Sequence, residues 1–257
     1  MFKIRASAAS KIMAGFIGLT DKQELEFNRL SEKDKITPNQ QITLDWLADK
    51  RDNPTLSEGA KTYCKDWLQA KLMNRNIDFS NKYTEKGHIM EDESIDFIAQ
   101  YLDYGFIMKN EVRKEDDFMT GECDVDLRDE IIDVKNSWDW STFPLLETEI
   151  PNKDYYWQGQ VYMHLYGKKK YKIIYTLMDT PNHLIEKEAL YWCRNNGYPE
   201  LEQSVYDRFK KKMTYSDLPD NLRIKIYEFD YDSKHVEDLI ARVKMCREYI
   251  EYLSKTI

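Results

Sequence analysis

Gly121-Glu122-Cys123-Asp124-Val125-Asp126-Leu127-Arg128-Asp129-Glu130-Ile131-Ile132-Asp133-Val134-Lys135 is the stretch from which the fold is read. It has the pattern of a β-hairpin, with Asp124 on the first strand and Asp133 and Lys135 on the second. The strand period of two sends Asp133 and Lys135 to one face and Ile132 and Val134 to the other. Two acids and a lysine therefore converge. Hard oxygen ligands at such a point suit Mg²⁺ or Mn²⁺, which keeps several waters, one of them placed to attack a phosphate. Asp133 is the expected ligand, and Lys135 is expected to orient that water or offset developing charge. An isolated Asp-x-Lys is weak support in a chain that is 33% charged, so the flanking sequence has to carry the argument.

Upstream, Gly87-His88-Ile89-Met90-Glu91 opens a helical stretch in which Ile95, Ile98, Ala99 and Leu102 recur at helical spacing. Glu91 supplies a carboxylate at the helix start. As a first-turn acid it is also favoured by the helix dipole, a role Asp92 and Glu93 serve equally well. Downstream, Asp154 to Tyr166 reads as a helix despite Gly159, and Gln158 and Tyr162, four apart, share a face. Its aromatic residues also suit packing on a sheet. Near the beginning, Phe2-Lys3-Ile4-Arg5-Ala6-Ser7 leads into a helical pattern. Ser7 is a candidate cap, and an Arg beside a helix start makes a phosphate site.

The ordered set Gly-x-x-x-Glu, Asp, Asp-x-Lys, Gln-x-x-x-Tyr resembles the PD-(D/E)XK nuclease superfamily. The Ala-Ser helix start is similar to lambda-exonuclease and YqaJ-like phage recombinases, which share the RecB-type core. The resemblance implies an α/β (α+β) fold, a central mixed sheet flanked by helices with a restriction-endonuclease-like core. It implies Glu91, Asp124, Asp133 and the Val134 carbonyl as ligands of one or two Mg²⁺ ions, with Mn²⁺ as substitute. Lys135 and Gln158 complete the catalytic set, Tyr162 faces DNA, and Arg5 and Ser7 hold a 5′-phosphate. The activity it implies is 5′-to-3′ digestion of linear double-stranded DNA in phage-type recombination. The implied partners are DNA ends and a single-strand annealing protein, with assembly as a toroidal trimer and a cytoplasmic setting in a bacterial host. One departure stands out. Relatives often carry a Ser-Pro-Asp-Gly-like stretch around the first Asp, whereas here Glu122 and Asp126 share Asp124's parity, which leaves Asp126 as the alternative ligand. A RecB-type or restriction-like endonuclease is the second enzymatic reading, and a non-catalytic DNA-binding module is the reading from another class.

The 257 residues suffice for a large core, read as one nuclease domain with a helical region over about 1–80 and an insertion over about 180–220. Lys and Arg less Asp and Glu gives 38 − 46 = −8, the opposite of a simple non-specific DNA binder. Lys168-Lys169-Lys170-Tyr171-Lys172 and Lys210-Lys211-Lys212 are candidate phosphate contacts, and each also suits a solvated surface. Cys64, Cys123, Cys193 and Cys246 lack the spacing of a zinc or iron-sulfur site and are expected to be reduced. No apolar run is long enough for a membrane span, and no signal sequence is expected. Helices are expected over 5–18, 59–76 and from Ser233. Strands are expected over 104–113, 117–127, 130–137, 171–178 and 222–230. Between them Trp138 to Phe143 forms an aromatic loop beside the hairpin, whose rings either bury or stack on a base. In the last helix the stripe Val236, Leu239, Ile240, Val243, Ile250, Leu253 is expected to pack on the sheet.

Overall fold

The computed structural model describes residues 1–14, 18–75 and 81–256. In chain order its first elements are β1 (Ile4–Arg5), α1 (Ala9–Met13), α2 (Asp21–Ser31), α3 (Pro38–Asp52), α4 (Glu58–Met73), α5 (Lys82–Ile89) and α6 (Glu91–Tyr101). Then come β2 (Lys114–Glu115), β3 (Met119–Gly121), β4 (Val125–Asp126), β5 (Glu130–Asn136), α7 (Asp154–Tyr166) and β6 (Lys170–Thr176). The chain ends with α8 (Asn182–Asn195), α9 (Gln203–Lys212), β7 (Ile224–Asp230) and α10 (Ser233–Ser254). Two compact units emerge. One comprises Met1–Ile77, Asp116–Thr120 and Asp232–Ile257; the other comprises Asp78–Glu115 and Gly121–Tyr231.

The first unit is helical. Capping boxes start α2 and α3: Thr20 and Gln23, then Thr37 and Gln40, satisfy each other's end-of-helix backbone groups. Pro38 takes the first turn of α3, where its missing N–H costs nothing. Helix α10 packs against α4 and α1. Ala60, Cys64 and Leu68 of α4 are buried at four-residue spacing, and Val236, Leu239, Val243, Cys246 and Ile250 of α10 at spacings of three and four. The apolar stripe of α10 thus packs on helices of its own unit, where its periodicity alone suggested a sheet. β1 pairs in parallel with β3, Ile4 opposite Met119 and Arg5 opposite Thr120. The helix expected over 5–18 is shorter: a 3₁₀ turn over Ala6–Ala8 precedes α1, and residues 15–17 of that expectation lie outside the described residues.

The second unit is built on a four-stranded mixed sheet in the order β4-β5-β6-β7. β5 runs antiparallel to β4 and parallel to β6, and β7 returns antiparallel to β6. The parallel pair β5 and β6 is joined by a crossover that contains α7, as parallel strands require. On one face Ile132 and Val134 join Ile95, Ile98 and Ala99 of α6, together with Ile174, in a single apolar core. The other face of β5 carries Asp133. Helix α7 approaches the sheet closely: a Cβ built on Gly159 would lie 2.2 Å from the Tyr171 ring on β6. Gly159 is therefore a packing requirement of α7, and its place in a helix otherwise rich in large side chains follows from that ring.

The mixed sheet flanked by helices agrees with the expected fold class. Strands over 130–137, 171–178 and 222–230 appear as β5, β6 and β7. The expected strands over 104–113 and 117–127 are largely replaced by irregular backbone and short pairings. Asn110 ties the first segment to the second, its N–H donating to Asp124 O at 2.7 Å and its Nδ2 to Cys123 O at 2.9 Å. Asp116 Oδ1 accepts from the N–H groups of Phe118 and Met119, a turn that interrupts the second. The expected insertion forms α8 and α9, which pack through Ala189, Cys193 and Val205. All four cysteines are buried and free. Among the described residues no helix is long and apolar enough to cross a membrane.

Candidate active site

Strand β5 positions the centre of the site. Asp133 is fully buried on the α7 face. Its Oδ1 accepts a hydrogen bond from Gln158 Nε2 at 3.1 Å. Its Oδ2 pairs with the Lys135 ammonium, and makes no further hydrogen bond among the described residues. Lys135 lies two residues along the same face, with its ammonium 4.8 Å from the centre of the Tyr155 ring. Gln158 Nε2 also donates to the Tyr162 hydroxyl at 3.0 Å, so the i, i+4 pair on α7 works as one unit. Tyr162 is itself only 5% exposed. Its placement makes it the support that orients Gln158 and leaves little surface for the DNA contact expected of it.

Asp124 sits just before β4. Its Oδ2 accepts the Val134 N–H at 2.7 Å, which fixes the carboxylate beside Asp133 on the neighbouring strand. In an extended strand a residue's N–H and C=O project to the same edge, so the Val134 carbonyl lies on the edge where Asp124 is held. Asp126 goes elsewhere, to Lys168 Nζ at 2.7 Å. Glu122 pairs with Arg113 at 3.4 Å. Of the three acids of that parity, Asp124 is the one bonded to the Val134 N–H beside Asp133 and feels its charge.

Burial is the main cause that raises the Asp124 carboxyl, to about 7, and the Asp133 charge adds to it. For Lys135, burial acts downward, but the charges of Asp133 and Asp124 outweigh it and leave the ammonium more basic than usual. Burial and the Asp133 charge also push the Tyr162 phenol up. Two close carboxylates share one lysine, so the buried group carries excess negative charge whenever Asp124 is ionised, and the Tyr171 hydroxyl also faces Asp133. Such a donor set fits a hard divalent cation. Among the described residues no three His, Cys, Asp or Glu side chains are gathered for a metal. Glu91, the first residue of α6, is held instead by Lys109, with Nζ and Oε2 3.0 Å apart. Gly87 belongs to α5, and the chain turns at Met90, so the Gly-x-x-x-Glu motif spans the α5–α6 corner.

Other parts of the surroundings were not read from the sequence. Asn136, one step beyond Lys135, accepts at Oδ1 from the hydroxyls of Ser94 (2.7 Å) and Thr176 (3.0 Å), tying α6 to β5 and β6. Lys86 is fully buried and donates to the carbonyls of Trp138 and Met178, each at 2.9 Å. Burial lowers its ammonium to about 8. Its position directly before Gly87 was the available signal, but a lysine in an amphipathic helix reads as surface. In the aromatic loop Trp138 and Phe143 bury, whereas Trp140 is 60% exposed. Of the lysine cluster, Lys168 is taken by Asp126 and Lys172 by Glu130 at 2.9 Å.

In the helical unit Arg5 ends β1 and Ser7 lies in the 3₁₀ turn, both exposed. The expected cap is not formed by Ser7: Ala8 holds the N-cap position of α1, without a side-chain bond. Arg5 instead hydrogen-bonds the Tyr63 side chain, where it opposes the upward shift that burial gives the phenol.

No known family profile matches the chain, and no curated protein does. Solved structures do. A phage-related exonuclease from Haemophilus somnus 129PT is 24% identical, with a TM-score of 0.70 over 99% of this chain and 96% of its own. An alkaline exonuclease from Laribacter hongkongensis, LHK-Exo, is 14% identical, with a TM-score of 0.55 over 99% of this chain and 92% of its own. The same enzyme in complex with dAMP gives 15% identity and a TM-score of 0.55. The chain shares the fold of these exonucleases along nearly its whole length.

Proposed function

We propose that this chain is a divalent-metal-dependent deoxyribonuclease, a 5′-to-3′ exonuclease on linear double-stranded DNA. The observation that carries the reading is the buried pair Asp124 and Asp133 with Lys135 and Gln158 around it. The fold shared with exonucleases supports the same chemistry. Glu91, Asp124, Asp133 and the Val134 carbonyl would hold one or two Mg²⁺ ions, with Mn²⁺ as substitute. When bound, the cation would lower the pKa of water and offset charge on the phosphate.

The protein's own groups have separable tasks. Asp124 and Asp133 provide the anionic oxygens, held in place by the Val134 N–H and by Gln158. Lys135 keeps its proton at the working pH, so it acts as a fixed positive group that orients the attacking water and stabilises the developing phosphorane charge. Tyr162 keeps Gln158 from rotating away. Arg5 and Ser7 would receive the 5′-phosphate. A homotrimer enclosing the duplex and a single-strand annealing partner belong to the same proposal, as does action in a host cytoplasm.

The test is digestion of linear and closed circular duplex DNA with Mg²⁺ or with EDTA, using end-labelled strands. Loss of the linear form alone, from the 5′ end and only with metal, is expected. Nicking of circles would replace the reading with an endonuclease, and no cleavage of either would leave a DNA-binding module. Asp133→Ala and Lys135→Ala should each lower the rate by about 10²–10³-fold or more. Metal binding should survive only in the second. Full activity in either variant would remove the site assignment. Arg5→Ala should erase any preference for 5′-phosphorylated over 5′-hydroxyl ends, and an unchanged ratio would reject its role.

A further inference from the structure

Lys109 belongs to none of the motifs above, yet it reaches the carboxylate most distant in sequence from the hairpin. Its Nζ lies 3.0 Å from Glu91 Oε2. The next residue, Asn110, is pinned through its N–H to Asp124 O and through Nδ2 to Cys123 O. The backbone at Lys109 is therefore fixed beside the site.

The two partners are unequal. The Glu91 side chain is 16% exposed and the Lys109 side chain 42%. Glu91 is anchored in the first turn of α6, where the helix N-terminus favours its charge. Lys109 rides on a flexible four-carbon stem that can swing into solvent with no backbone movement. An ion pair with one partner this exposed is worth only a few-fold in an equilibrium constant. A doubly charged cation that also meets Asp124 and Asp133 competes for Glu91 with a large advantage.

We propose that Lys109 is a resident counterion of Glu91 that a divalent cation must displace, so that this lysine sets the cation affinity of the site. The inference rests on the reading of Glu91, Asp124 and Asp133 as cation ligands. Lys109 holds Glu91, and the charges of Glu91 and Lys109 both reach Asp124. Loss of the ammonium would free Glu91 and remove a positive charge that repels the incoming ion, and both effects tighten binding.

The experiment is calorimetric titration of Mn²⁺ into the full chain, with folding of each variant checked by circular dichroism. Lys109→Met should bind Mn²⁺ about two- to fivefold more tightly than the parent, the size of one partly exposed ion pair. Lys109→Arg, which keeps the charge, should stay near the parent value. Glu91→Gln should weaken binding, and adding Lys109→Met to it should restore little of the loss, because the counterion has nothing left to hold. Unchanged or weaker binding in Lys109→Met overturns the inference. If Asp133→Asn abolishes binding in that case, the cation site stands and only the role of Lys109 falls. If the parent takes up no Mn²⁺, both fall together.

Discussion

Asp124 is the residue at which folding and metal binding are opposed most directly. Its carboxyl is raised to about 7 from 3.8, by burial first and by Asp133 second. Between those two values the folded chain holds a proton that the unfolded chain has released. The sign of the linkage follows: without metal, this group's contribution to stability falls as pH rises from about 4 to about 7, and stays low above. A cation reverses the balance, because it needs the ionised form that burial disfavours. Thermal unfolding in EDTA and in Mn²⁺ should thus separate by several degrees more at pH 8 than at pH 5.5, and Asp124→Asn should flatten the difference. An equal Mn²⁺ effect at both pH values would show that Asp124 does not couple to the ion. The resemblance pointed to Asp124, but strand parity left Asp126 as the alternative, with Glu122 on the same face. What separates them is a backbone donor, Val134 N–H, and the partners Lys168 and Arg113, none of which strand periodicity specifies.

At the scale of elements, α7 shows why some of the site was legible and some was not. Gln158 and Tyr162 share a face by helical spacing alone, and the structure joins them in one hydrogen bond. Gly159 between them reads as a weak helix former, worth about 1 kcal/mol against Ala. The fold assigns it the opposite value. Tyr171 on β6 is fully buried with its ring where a Cβ would stand, so Gly159→Ala must move an aromatic ring hemmed in by the sheet. The expected cost is about 1–3 kcal/mol or more in urea unfolding, against a gain if propensity decided. Replacing Tyr171 by Leu in the same chain should make the two changes strongly non-additive. A stabilised Gly159→Ala variant would mean that α7 sits farther from β6. The strands over 104–113 and 117–127 failed as expectations for a related reason. Asn110 and Asp116 spend their side chains on backbone groups that a ladder would otherwise pair, and side-chain bonds of this kind leave no trace in hydropathy.

For the whole molecule the question is how a chain of net charge −8 meets a polyanion. The lysine cluster after α7 does not answer it, since Lys168 and Lys172 are spent on Asp126 and Glu130. The same unit keeps Lys169, Lys170 and Lys210–Lys212 exposed, but its site is a buried acidic centre, which repels phosphate until a cation neutralises it. Metal should therefore govern binding as well as cleavage. With Ca²⁺ in place of Mg²⁺, to hold the chemistry back, anisotropy on a 5′-phosphorylated duplex should show affinity at least about tenfold higher than in EDTA, the gain from turning an unfavourable contact into a bridged one. Asp133→Asn should bind in EDTA better than the parent, because one of the repelling charges is gone, and should respond little to Ca²⁺. Equal affinity of the parent with and without Ca²⁺ would place DNA recognition on surfaces independent of the acidic centre. In that event binding should follow the basic groups alone, falling steeply with added salt by counterion release while remaining indifferent to Asp133.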